Sequence, residues 1–154
     1  MSVVFAIALC LLLAATLAGG LRRISALLAL AGSGLLLAAG VSAAAGWAAA
    51  SVSLGSWLGF GPAALRVDGL AGIFLALTGA SGAAVSLAYL EHPPRRLVTA
   101  LNGLLLLAMA TVLAADQAFV FLLAWETLTL TLYCSPAPTG RRRERCSPAT
   151  SPVR

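Results

Sequence analysis

Long apolar runs, divided by short segments that carry arginine, constrain this chain more than any other feature. The runs cover residues 2–20, 24–47, 69–90, 97–115 and 118–133. A helix needs about 20 apolar residues to cross a hydrocarbon layer about 30 Å thick. The chain has 154 residues, of which 60% are hydrophobic and 10% charged, whereas soluble domains carry about 25% charged residues. These features predict an all-α fold: a polytopic membrane protein with about five transmembrane helices. No soluble core needs to be sought in such a composition.

The arginines set an expected orientation. Arg22/Arg23, Arg95/Arg96 and Arg141, Arg142, Arg143 and Arg145 fall on one side of alternating spans, with Arg66 as the exception. Basic loops stay cytoplasmic, which predicts the N-terminus outside and the C-terminus inside. A signal peptide is the alternative for residues 2–20. It requires a basic stretch before the apolar run, whereas Arg22 and Arg23 follow it. All ten basic residues are arginine. With the heavy use of Ala, Gly and Leu, this points to a GC-rich bacterial gene, and hence to a bacterial inner membrane. Topology explains the net charge of +5 better than a nucleic-acid partner does.

The lipid bilayer is the partner that composition implies; no small-molecule substrate is identified. Cys10, Cys134 and Cys146 show no metal-site or disulfide spacing, and no cofactor or metal site is read. His92 is the one histidine, so the chain cannot supply bis-histidine haem ligation. Phosphate loops, nucleophile elbows and metal motifs are absent from the sequence, so nothing marks an enzyme active site.

Between the second and third runs, Ser51, Ser53, Gly55, Ser56, Gly59, Gly61 and Pro62 interrupt any spanning pattern. This predicts a surface loop, with Trp57 and Phe60 at the water–lipid boundary. The competing reading is a further span over residues 48–65, which would invert the later topology. Arg66 and Asp68 read as a helix-start device, the carboxylate suiting the first turn of the third span. Gly40 and Ala44 form a small-xxx-small pair that permits close helix approach. Asn102, alone among apolar neighbours, is expected to face another helix. Asp116 and Gln117 form a tight turn into the fifth run. Residues 134–154 are proline- and arginine-rich and read as a disordered basic tail. Two origins stay open for it: a true tail attracted to anionic lipid, or out-of-frame translation after Tyr133.

Within the fifth run, Glu126 stands near the middle of an otherwise apolar stretch. A central acid costs about 2.5–3.5 kcal/mol on insertion scales. Such a residue normally turns inward, shares a partner or water, or stays protonated, since desolvation favours the neutral acid. Helical spacing places Glu126, Thr129 and Tyr133 on one face, a candidate proton pathway. The bland alternative is a protonated acid that only bonds a neighbouring helix. No lysine exists in the chain and every arginine lies in a loop or the tail, so no intramembrane cation partners Glu126 here.

LRVDGLAGIF (65–74), SLAYL (86–90) and MATVLAADQAFVFLLAWETLTLTLY (109–133) together resemble the N-terminal part of the proton-conducting antiporter-like membrane subunits. That family serves complex I, multisubunit sodium/proton antiporters and group 4 hydrogenases, and the chain looks most like hydrogenase-4 component B. The similarity covers residues 65–133, with Asp116 and Trp125-Glu126-Thr127 at the matching positions. The resemblance implies that Glu126 is the fifth-helix glutamate of a proton path. It further implies that the partners are other membrane subunits of an oxidoreductase assembly. Family members run to about fourteen helices and pair this glutamate with a later-helix lysine. The resemblance thus implies that the chain is an N-terminal fragment. A small membrane scaffold or assembly protein, and a nonfunctional pseudogene product, are the readings without transport.

Overall fold

The computed structural model describes residues 2–47, 50–56 and 62–135. Five helices form the body: α1 (Ser2–Leu17), α2 (Arg22–Ala44), α3 (Gly69–Glu91), α4 (Arg96–Ala114) and α5 (Ala118–Cys134). A single 3-10 turn, Ala18–Gly20, continues α1. Four helical segments are long and apolar enough to cross a membrane: Ser2–Gly20, Arg22–Ala44, Gly69–Glu91 and Arg96–Ala114. At 17 residues, α5 rises about 25 Å, somewhat short of a full hydrocarbon layer.

The helices meet through glycine. A Cβ on Gly40 of α2 would lie 2.5 Å from the Ala76 nitrogen of α3, and one on Gly79 would lie 2.5 Å from the Leu37 nitrogen. Gly72 completes the seam, where a Cβ would meet the Ala44 nitrogen at 2.8 Å. The spacing of seven residues, Ser33 to Gly40 and Gly72 to Gly79, keeps the small residues on the facing sides of the two helices. Small residues at such a seam let the two backbones touch, so that van der Waals contact holds the helices together. Gly32 against Leu12 of α1 and Gly103 of α4 against Thr16 extend the same device to other pairs. The buried cluster that results joins Phe5 and Leu12 of α1 with Leu36, Leu75 and Leu106. Ser25 Oγ donates to the Ala15 carbonyl at 2.6 Å and ties the α1–α2 corner shut.

Residues 50–67 differ from the expected loop, and the fold is therefore not purely helical. A two-stranded antiparallel hairpin, β1 (Ala50–Ser56) and β2 (Pro62–Val67), lies there. Among the described residues nothing in this stretch forms the competing span. The physical reason is a period of two: Leu65 and Val67 are buried, and Arg66 between them is exposed. Gly55, with φ of 77°, sits where the register slips between Ser53 and Gly55. That left-handed conformation suits glycine at a bulge. The α4–α5 connection covers the β2 edge, through a Leu65–Ala115 bridge and an Asp116 N–H bond to the Ala64 carbonyl at 3.2 Å. Trp57 and Phe60, assigned above to the boundary, lie outside the described residues.

Helix ends follow local chemistry. Asp68 caps α3, its Oδ1 accepting from the Ala71 N–H at 2.8 Å. A cap of this type contributes about 1 kcal/mol. After α2, Gly46 takes φ of 72°; the Trp47 N–H reaches the Ser42 carbonyl and the Gly46 N–H the Ala43 carbonyl, each at 3.0 Å. This paired pattern closes a helix with a glycine that can adopt positive φ. The basic tail assigned to residues 134–154 lies outside the described residues beyond Ser135.

Candidate functional site

α5 is the outermost helix. Among the described residues its one substantial interface is with α4, through Val120, Ala124 and Thr131. At 3.6 residues per turn, Glu126 lies about 200° around the helix from Ala124. The carboxylate therefore stands on the side away from the bundle, and it is exposed. This differs from the inward-facing acid expected of a lone glutamate in an apolar helix. The reason is the distribution of small residues: Ala124 lets α4 approach, so that face becomes the seam and Glu126 is carried outward.

Its surroundings are apolar and equally bare. Leu122, Leu123, Trp125 and Leu130 are all exposed, and Tyr133 is 89% exposed. Phe121 and Trp125 stack with ring centroids 6.1 Å apart. Thr129 follows Glu126 on the same side, yet its hydroxyl turns back to the Trp125 and Glu126 carbonyls at 2.9 and 3.0 Å. Thr127 and Thr131 likewise donate to carbonyls four residues earlier, Leu123 and Thr127. Their donor protons are thus committed to the helix, and each hydroxyl oxygen retains acceptor capacity. Glu126, Thr129 and Tyr133 share the outer side of α5 without a side-chain hydrogen bond between them.

The residues read as helix-start groups converge at the opposite end of α5 from Tyr133. Arg66, Asp68 and Asp116 line one cleft of about 370 Å³ with Phe74, Val112 and Phe121. Phe121 precedes Glu126 by five residues, an axial rise of about 7–8 Å. The cleft wall at Phe121 thus lies about a turn and a half along α5 from Glu126. Asn102, expected to face another helix, lines a small cavity of about 90 Å³ between α3, α4 and α5 with Tyr89 and Thr131. Among the described residues no three His, Cys, Asp or Glu side chains cluster to hold a metal. Cys10 and Cys134 are free and exposed.

One grouping is not evident from the sequence. Arg22, Arg23 and Arg96, which the sequence presents as separate markers of orientation, line a single cleft. Only the alternation of spans could have hinted at it, since that alternation puts residues 22 and 96 at the same end. No family model, no curated protein and no solved structure matches the chain.

Proposed function

We propose that this chain is the N-terminal part of a proton-translocating membrane subunit of a hydrogenase-4-like or complex-I-like oxidoreductase. In this reading it sits in a bacterial inner membrane, with its N-terminus outside, and Glu126 is its proton-pathway carboxylate. The observation that carries the proposal is the placement of Glu126 at the middle of α5, on the side that no helix among the described residues covers. Left in lipid, the acid costs about 2.5–3.5 kcal/mol. A neighbouring helix that brings a cation, or a water-filled gap, removes that cost and turns the carboxylate into a relay station. The sequence motif around Trp125-Glu126-Thr127 supports the same assignment by resemblance. The cleft lined by Arg66, Asp68 and Asp116 supplies a polar mouth near the start of α5.

The mechanism is proton exchange. Glu126 takes a proton from water at the mouth or from a group on the covering helix, and releases it when the balance of charge around it changes. Electron transfer belongs to attached subunits.

Proton uptake into vesicles tests the proposal. Membranes containing the chain with its partner subunits, loaded with a pH-sensitive dye, are driven by an imposed gradient. Glu126→Gln is expected to lower the flux at least tenfold, and Glu126→Asp to retain a measurable part of it. Equal flux through wild type and Glu126→Gln would remove the proton role.

A further inference from the structure

We propose that the cleft formed by Arg22, Arg23 and Arg96 binds the headgroup of an anionic phospholipid. The cleft measures about 470 Å³, and Leu21, Ile24 and Pro93 supply its apolar walls. All three arginines are exposed, and none forms an ion pair among the described residues. The convergence is built by the fold. A Cβ on Gly19 would lie 2.5 Å from the Ala100 Cβ, so the turn after α1 presses directly on the first turns of α4. That contact brings residues 22 and 23 beside residue 96, more than seventy positions away in sequence.

The chemistry selects a phosphate. α2 begins at Arg22 and α4 at Arg96, so the positive ends of two helix dipoles add to the three guanidinium groups. Glu91, the nearest acid in sequence to this end, does not line the cleft, and Arg95 does not either. A scattered basic surface would include Arg95 equally. The apolar rim suits the glycerol and first acyl carbons of a lipid better than a fully hydrated ion. Basic pockets between membrane helices bind anionic headgroups by this combination. The inference rests on the membrane-embedded reading above and is independent of the proton path.

The full chain in mixed micelles, titrated with phosphatidylglycerol, phosphatidylcholine or inorganic phosphate, tests it, with bound lipid read by native mass spectrometry. Phosphatidylglycerol is expected to bind at least tenfold tighter than phosphatidylcholine. Each of Arg22→Gln, Arg23→Gln and Arg96→Gln should weaken it about fivefold. Arg95→Gln should weaken it less than about twofold, and Arg96→Lys should retain most of the binding. Helical circular dichroism checks that the variants fold. Equal binding of the two lipids, or equal losses in Arg95→Gln and Arg96→Gln, would overturn the site. Displacement of the lipid by millimolar inorganic phosphate would make it a soluble-anion site and overturn the lipid assignment. Alkaline carbonate separates the two failures: release of the chain from membranes defeats the membrane reading itself. Retention without a phosphatidylglycerol preference defeats only the cleft.

Discussion

Glu126→Leu is expected to stabilise α5 in the bilayer while abolishing proton movement. The acid sits at the centre of the helix on its uncovered side, where insertion scales make it unfavourable by about 2.5–3.5 kcal/mol. Leucine instead gains about 0.3–0.6 kcal/mol there. For the chain inserted without a covering helix the total change is about 3–4 kcal/mol toward insertion, measurable as the inserted fraction of a reporter fused after α5. On the proposed reading the two effects run in opposite directions, because a functional group is retained at a cost to stability. An acid kept only to bond a neighbouring helix behaves differently. Its loss would loosen the assembly, and Glu126→Gln, which keeps the bond, would leave function intact. Glu126→Leu that neither improves insertion nor changes flux would sink both readings of this residue.

The second large effect concerns the α2–α3 seam. Gly79→Leu is expected to lower stability by more than about 3 kcal/mol, the upper range for overpacking. The added Cβ alone would lie 2.5 Å from the Leu37 nitrogen and 2.7 Å from the Ser33 carbonyl oxygen. Backbone cannot yield as a side-chain tip can, so the helices must separate. Separation also loosens Gly82, where a Cβ would already meet Ser33 Oγ and Leu106 at 2.7 Å. Gly34→Leu on α2 is the matched control, because nothing lies within 4 Å of its Cβ position. It should lose no stability, since helix propensity favours leucine over glycine by about 0.5–1 kcal/mol. Reversible unfolding in mixed micelles measures both, and equal losses would show that glycine packing does not hold this bundle.

The long helices are legible in the sequence because an apolar run of bilayer length has little use outside a bilayer. The breaks at Arg22/Arg23 and at Pro93-Pro94 locate two of their boundaries closely. The Gly40/Ala44 pair is also legible, but its continuation through Ser33, Gly72 and Gly79 is hidden among many small residues. The hairpin is hard to see because glycines and serines mask the alternation of Leu65, Arg66 and Val67. Its bulge at Gly55 further breaks the period that would reveal it.

The facing of α5 is illegible for a more basic reason. In a helix apolar on every side, hydrophobicity does not mark which side packs. Lipid makes the outside as apolar as the inside. Ala124 is the available signal, since a small residue marks the side that a neighbouring helix can approach. The expected inward turn of Glu126 follows from its cost alone, and cost says only that a partner is needed, not on which side it stands.

Infrared difference spectroscopy follows the proton on Glu126 itself. The chain in lipid, together with the membrane subunits proposed as its partners, is cycled between acidic and alkaline buffer, and the spectrum of Glu126→Gln is subtracted from that of wild type. A carboxyl C=O band gained on acidification and lost on alkalinisation is the expected result, with its amplitude matching one group per chain. Identical spectra for wild type and Glu126→Gln would contradict the proton role, because a carboxylate that never exchanges its proton cannot relay one.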